Sequence, residues 1–376
     1  MKNFSLRDIP IGSFFSEPVY LDEQFIITAP EVNFSSELIK ALQNWDFRVL
    51  LSDGEPQEEY SGTEEVIHED GSAEKSFLTD GSEIQNAEKL YADFLKYVEN
   101  LFTQLISKKE LNFNHISEKV KELCDIIREN RRYLQRVMKN DISEGKNYLA
   151  SHALKSTIIA IIIGSFIKLP NHRLIELGVA ALLHESGMIQ LPPQTYMSDR
   201  PLSNQEKKLI LSHPIIGFNL LKNLNFPLVI SLSALEHHER ENGTGYPQKL
   251  TGEKISLYAK IIAVACSYEA LTTTRPHKSA KDGYSGMLDL LKNEGKQYDD
   301  TVIKALVFSF SIYPIGLYVL LSNGRKGQVV DINPENPKYP FVQVFGELNP
   351  DGKNKVLETS QDGVHIKRPL QKEEIS

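Results

Sequence analysis

Apolar and polar positions along this chain change their period several times, and each change marks a different kind of structure. Residues 1–54 carry short apolar runs, Phe14 to Leu21 and Phe25 to Thr28, then a helical pattern over 36–45 and the strand-like run Phe47-Arg48-Val49-Leu50-Leu51. That order predicts a small N-terminal α/β module. Over residues 55–86 the apolar positions thin out, and Glu58-Glu59, Glu64-Glu65 and Glu69-Asp70 stand among Ser and Gly. Such a stretch buries too little apolar surface to offset its chain entropy, so an acidic flexible linker is expected.

Helical periodicity then takes over. Leu90, Phe94, Tyr97, Leu101 and Leu105 share one face, as do Ile116, Val120, Leu123, Ile127 and Leu134. Residues 87–140 read as a helical connector and 141–305 as a helical domain. Within it, Ser203 and Glu206 form a capping-box pattern ahead of an apolar-periodic run. The most apolar stretch, Ile158 to Ile167, lies between Lys155 and Lys168. It is shorter than the roughly 20 residues that cross a bilayer, which predicts a buried core helix. After Tyr313-Pro314 the period shortens to two. Leu317 to Leu321, Gln328 to Ile332 and Phe341 to Phe345 read as strands, with a turn at Asn323-Gly324. This gives a β-rich segment over 306–346 and a loose polar tail over 347–376. The fold class is therefore mainly α, a helical core with a small α/β module before it and a short β segment after it.

Composition narrows the partners. At 376 residues the chain exceeds one ordinary domain. Its net charge of -8 repels polyanions, so neither a long nucleic acid nor an anionic membrane is expected, while a small anionic ligand is compatible. Met1 to Pro10 has no apolar run of the secretory kind. The only cysteines, Cys124 and Cys266, offer no disulfide framework, which suits a cytoplasmic protein.

The candidate chemistry lies between His152 and His277. His152, the pair His184-Glu185, His213 and the pair His237-His238 fall in or at the ends of four separate predicted helices. Facing helices bring such residues into one cluster, and imidazole with carboxylate suits Fe, Mn, Zn or Ni. His184-Glu185 follows the apolar run Leu177 to Leu183, so a helix with a buried body ends in costly polar groups. His172 and His277 read as ordinary core or surface residues. Spacing alone leaves both a metal site and a set of structural histidines open.

Longer strings carry a resemblance. Ala180-Ala181-Leu182-Leu183-His184-Glu185-Ser186-Gly187 resembles the segment that names the HD superfamily. His237-His238-Glu239-Arg240-Glu241-Asn242-Gly243-Thr244-Gly245-Tyr246-Pro247 resembles the second signature of its HD-GYP subfamily. His213-Pro214-Ile215-Ile216-Gly217 and Ala270-Leu271-Thr272-Thr273-Thr274-Arg275-Pro276 match flanking blocks in the same order. The resemblance implies an HD-type helical bundle holding divalent metal ions, often iron or manganese, and hydrolysis of cyclic di-GMP to linear pGpG or GMP. It assigns His152, His184, His213, His237 and His238 as metal ligands and Glu185 as the bridge between ions. His184 and Glu185 become the catalytic centre. Arg275 faces a phosphate with its forked donors. Gly243 and Gly245 permit a tight loop that presents Tyr246-Pro247 beside the cavity.

Several positions depart from the family pattern. Glu185 replaces an aspartate, Met188 replaces the lysine of the first block, and Cys266 and Glu269 replace two aspartates. Cys266 is a thiolate ligand or, on the favoured reading, a buried neutral thiol, so its place among the ligands is doubtful. Tyr148 is not the glutamate of three-metal members, so two ions are expected, iron or manganese ahead of zinc. Losing a catalytic cation typically costs about 2.7–4 kcal/mol of barrier. The resemblance thus implies a cyclic di-GMP phosphodiesterase with reduced activity. The alternative is a catalytically degenerate sensor or scaffold of bacterial signalling that binds cyclic di-GMP or only metal. In that case a diguanylate cyclase, another signalling protein or a second copy of the chain is the expected partner.

Overall fold

The computed structural model describes residues 2–6, 8–10, 13–15, 19–20, 26–28, 34, 39 and 49–57, then 80–108, 110–140, 148–197, 200–273, 281–293, 295–333, 335–349, 354–370 and 374. The chain divides into two units, 1–74 and 75–376.

In the first unit, strands β1 (Lys2–Ser5), β3 (Val19–Tyr20), β4 (Ile26–Thr28) and β5 (Val49–Ser52) form an antiparallel sheet of order β1-β5-β3-β4. Strands β2 (Phe14–Phe15) and β6 (Pro56–Gln57) pair separately. Leu6, Ile9, Phe15, Val19, Phe34, Ile39 and Leu50 make its core, with Phe4 edge-on to Phe15 at 5.0 Å. The run expected to be a strand near residue 49 is β5. Apart from Ile39, the helical pattern over 36–45 lies outside the described residues.

The acidic stretch is ordered at both of its described ends, contrary to a linker spanning all of 55–86. Residues 56 and 57 are paired in β6, and helix α1 (Asp80–Lys108) starts well before residue 87. Ile84 and Ala87 explain the early start, because both pack on the helical core one and two turns into α1. Residues 58–79 lie outside the described set.

The second unit is a bundle built around one helix. Helix α2 (Phe113–Asn140) packs on α1 through Ile116, Val120, Leu123 and Ile127, and bends at Asn130. Helix α3 (Tyr148–Phe166) has no polar face, and every residue from Leu149 to Gly164 is buried. It is apolar and long enough to cross a membrane by composition, but its neighbours are α1, α2 and the later helices of the bundle. Burying each large aliphatic side chain in the run Ile158 to Ile163 contributes on the order of 1.5–3 kcal/mol. Helix α4 (Asn171–Leu183) packs along α3, and the short helix α5 (Pro193–Tyr196) follows. Helices α6 (Asn204–Leu211), α7 (His213–Asn223) and α8 (Leu228–Glu236) come next. Helices α9 (Leu257–Thr272), α10 (Gly283–Leu291) and α11 (Asp300–Phe310) close the bundle, and α9 and α11 both contact α3. The capping box read from sequence is present: Ser203 Oγ accepts from Glu206 N at 3.2 Å, and Glu206 Oε2 accepts from Ser203 N at 2.8 Å.

Strands β7 (Tyr318–Leu321) and β8 (Lys326–Asp331) form the expected hairpin, and Gly324 takes φ +81 in its turn. Strand β9 (Phe341–Leu348) adds to it. The polar tail expected over 347–376 is not loose where it is described. Strand β10 (Asn354–Glu358) pairs with β9 and strand β11 (Ile366–Pro369) pairs with β7, completing the order β10-β9-β8-β7-β11. Polar composition misleads here because an antiparallel sheet needs only one apolar face. Ile366 joins Val319, Leu321, Val329, Val342 and Val344 on that face, and the polar residues lie on the other.

Candidate metal centre

The polar residues of the cluster sit where helices end. His184 is the residue after α4, His237 is the residue after α8, and His213 opens α7 directly after α6. The last carbonyls of a helix lack intrahelical partners, and each of these rings takes one. His184 Nδ1 donates to Ala181 O at 2.6 Å, His213 Nδ1 to Ile210 O at 2.7 Å and His237 Nδ1 to Ala234 O at 2.9 Å. A carbonyl can only accept, so the proton is on Nδ1 and Nε2 carries a bare lone pair. The fourth ring, His152 on α3, is held by the Glu269 carboxylate of α9, which accepts from its Nδ1.

All four Nε2 atoms point into one buried space. His152 and His184 bring theirs to 3.3 Å, and His213 and His237 to 3.2 Å. Two lone pairs at that separation repel, and a hydrogen bond between them would need a second proton on one ring. Burial opposes that proton first of all, pushing His184 down to about 4 and His237 and His238 well below their ordinary value.

Glu185 stands between the two pairs. Its Oε1 is 3.7 Å from His152 Nε2 and 3.9 Å from His184 Nε2, while Oε2 is 3.4 Å from His213 Nε2. Oε2 is buried without a hydrogen-bond partner among the described residues. Burial works to raise this carboxyl, and the imidazoles of His213, His184, His152 and His238 outweigh it, holding the group at about 2. The Glu185 carboxylate calls for positive charge beside it, while burial disfavours the proton on His184 and His238. A cation other than a proton satisfies both demands, so the donor set fits a metal. The donors fall into two groups whose atoms lie within 4.8 Å of one another: His152, His184 and Glu185, and Glu185, His213, His237 and His238. Glu185 belongs to both, so its additional methylene does not prevent it from reaching either.

Backbone contacts bring these helix ends together. A Cβ on Gly187 would overlap the His213 carbonyl oxygen and lie 2.5 Å from Gly217 N, so only glycine lets the chain after Glu185 touch the start of α7. On the other side, the loop from Glu239 to Leu250 folds over the cluster. Gly243 takes φ +71, and a Cβ on Gly245 would lie 2.5 Å from both Arg240 N and His238 O. Tyr246 precedes a cis proline, Pro247, and its ring stacks on His238 with centroids 4.6 Å apart.

The histidines and Glu185 expected to be ligands are thus brought together. Cys266 is buried on α9 but belongs to neither donor group, and its Sγ faces Ala263 O at 3.5 Å. Met188 is packed into the helical core, and Tyr148 lies edge-on to Tyr196 at 6.2 Å. Arg275 and His277 lie outside the described residues, and His172 is exposed at the start of α4. Two supporting residues were named in the sequence without a role, Glu269 as a departure from the family pattern and Glu239 within the second signature. Glu269 orients His152, and Glu239 accepts from Gln248 N at 2.6 Å and Leu250 N at 2.9 Å. The usable signal for Glu269 was a carboxylate in the otherwise apolar face of α9, where burial demands a partner.

A family model described as HD domain matches residues 136–302. The cyclic di-GMP phosphodiesterase PdeB of Borreliella burgdorferi is 30% identical over 196 residues, which are 52% of this chain and 52% of that protein. The cyclic di-GMP phosphodiesterase PA4108 of Pseudomonas aeruginosa is 30% identical over 265 residues, 70% of this chain and 63% of its own. The chain therefore spans from about half to just under two thirds of these relatives. Among solved structures, Bd1817, a HDG"Y"P protein from Bdellovibrio bacteriovorus, superposes with a TM-score of 0.50 at 17% identity over 81% of this chain and 97% of that one, which shows a shared fold. The matched span contains every donor of the cluster and the Gly-Tyr-Pro loop folded against it, so the cluster lies in an HD domain.

Proposed function

We propose that this chain is a metal-dependent phosphodiesterase that hydrolyses cyclic di-GMP to pGpG or GMP. The observation that carries the reading is the convergence of unprotonated imidazole nitrogens on Glu185, whose Oε2 is buried with no hydrogen bond among the described residues. Imidazole and carboxylate donors suit first-row divalent ions, and we assign two, iron or manganese ahead of zinc. His152, His184 and Glu185 hold one, and Glu185, His213, His237 and His238 hold the other. Such ions supply Lewis-acid charge for a phosphoryl group and lower the pKa of water. The substrate follows from the relatives named above, which are cyclic di-GMP phosphodiesterases.

The protein's own contribution is rigidity and charge placement. Nδ1 hydrogen bonds fix four rings before substrate arrives, so little reorganisation remains during reaction. Glu185 spans both donor groups. Gly243 and Gly245 hold Tyr246 and Pro247 at the rim, where they form one wall for the substrate, and Arg275 donates to a phosphate oxygen. A diguanylate cyclase or another bacterial signalling protein, and a second copy of the chain, are the macromolecular partners of this reading, in the cytoplasm.

The test is turnover of cyclic di-GMP by purified, reduced protein with Fe(II), Mn(II) or Zn(II), reading pGpG and GMP against a His184→Ala control. Product above the control supports the assignment, and none with any metal refutes it. One observation favours a second reading: Met188, where the family places a lysine, is buried in the apolar core. Calorimetric binding of cyclic di-GMP without hydrolysis would select a sensor.

A further inference from the structure

The five histidines are not held in the same way. Four rings are fixed through Nδ1 by a carbonyl or by Glu269. His238 is half-buried at the rim, and among the described residues no hydrogen bond holds its ring. Three rings lie against it: His237 tilted at 4.1 Å between centroids, His213 edge-on at 5.0 Å, and Tyr246, the one of the three outside the donor groups, nearly parallel at 17° and 4.6 Å. An aromatic stack of this kind restricts rotation of the ring.

Tyr246 is in turn held by the loop around it. Its N–H donates to His238 O at 3.2 Å, which pins the residue over the ring that it covers. Beyond it, the buried Glu239 carboxylate takes the N–H groups of Gln248 at 2.6 Å and Leu250 at 2.9 Å. Gly245 presses on the backbone of His238 and Arg240 too closely for any side chain. Asn242 and Thr251 close the base of the loop as an isolated antiparallel bridge. Glu239 directly follows His238 in sequence, so one short segment supplies both the ligand and the anchor of the loop that covers it.

We infer that Tyr246 and Glu239 are positioning residues for His238, and that the Gly-Tyr-Pro loop sets the affinity of one metal position independently of the other. The dependent position is that of Glu185, His213, His237 and His238. The position of His152, His184 and Glu185 takes its orientation from α4 and α9 and does not depend on the loop. This inference rests on the two-ion reading proposed above.

The test is a calorimetric titration of Mn(II) into the metal-free full chain. Wild type should show two classes of site, and His238→Ala identifies the class that His238 serves. Tyr246→Leu, which removes the ring, should weaken that class by about 10–100-fold and leave the other unchanged. Tyr246→Phe keeps the stack and should match wild type. Glu239→Gln, which loses one of two backbone acceptors, should weaken the same class alone, and it carries the test if Tyr246→Leu does not fold. Equal weakening of both classes, no weakening, or matching losses in Tyr246→Leu and Tyr246→Phe would overturn the inference. A wild-type chain that binds no Mn(II), or one class only, would overturn the two-ion reading first and this inference with it.

Discussion

Removing the Glu269 carboxylate separates the orientation of a ligand from ligation itself. Glu269 belongs to neither donor group, yet its Oε2 receives the Nδ1 proton of His152. In Glu269→Ala that N–H remains inside the protein without this acceptor, at a cost of about 1–3 kcal/mol to the folded state. Loss of a ligand's outer partner also lowers metal affinity by about 10–100-fold, equivalent to about 1.4–2.7 kcal/mol. The two effects are separable through metal-linked stability. With free metal at 100 times the wild-type Kd, binding stabilises wild type by about 2.7 kcal/mol. The same metal concentration stabilises the variant by about 1.4 kcal/mol at a tenfold loss and about 0.4 kcal/mol at a hundredfold loss. At about 2–4 °C per kcal/mol for a unit of this size, the metal-induced rise in Tm shrinks by roughly 3–9 °C. Scanning calorimetry of metal-free and Mn(II)-loaded protein measures both Tm values. Glu269→Gln, which keeps an acceptor oxygen, should recover part of the rise. A lower Tm with an undiminished metal-induced rise would refute the orienting role.

Three further outcomes follow from the geometry. Gly187→Ala should destabilise the helical unit by about 1–3 kcal/mol in urea unfolding and reduce metal content, because the new methyl forces α7 away from Glu185; an unchanged midpoint would count against that contact. For metal-free protein, His184 titrates at about 4 against an ordinary 6.5, so the unfolded chain binds more protons between those values and acid destabilises the fold there. The loss for that one ring is about 3 kcal/mol, complete near pH 4 and absent above pH 6.5, and a Tm that is flat across this window would contradict its burial. Cys266→Ser should leave metal content by elemental analysis unchanged, since the thiol is in neither donor group; a lost ion would make Cys266 a ligand.

The helical unit was legible because its signals are local. Apolar spacing placed α1 and α2, the Ser203–Glu206 box placed the start of α6, and Asn323-Gly324 placed the β7–β8 hairpin. Boundaries that depend on distant contacts were not legible. Residues 80–86 read as acidic linker, yet Ile84 and Ala87 anchor α1 on helices far along the chain. Residues 354–369 read as tail, yet each strand there is fixed by pairing with β9 or β7. The same division holds at the site. Ligand identities were readable as residue types at characteristic spacings, whereas Glu269 acts on a histidine 117 positions away and Glu239 on backbone N–H groups. Nothing local to either glutamate names its partner.

The placement of the donors also explains how the site accommodates a glutamate where the pattern it resembles has an aspartate. Three of its rings are tied to carbonyls in the final turn of a helix, so their Nε2 positions follow the backbone and not their own side-chain freedom. Glu185 is different, because it lies just past the end of α4 and, among the described residues, has no hydrogen bond to Oε2, so the surrounding imidazoles constrain its carboxylate. A rigid ring frame around one adjustable carboxylate tolerates a change of side-chain length at the adjustable position and not in the frame. Glu185→Asp should therefore retain both classes of Mn(II) site, whereas moving a ring, as in Gly187→Ala, should not. If Glu185→Asp instead abolishes one class while Gly187→Ala keeps both, the carboxylate and not the ring frame defines the site.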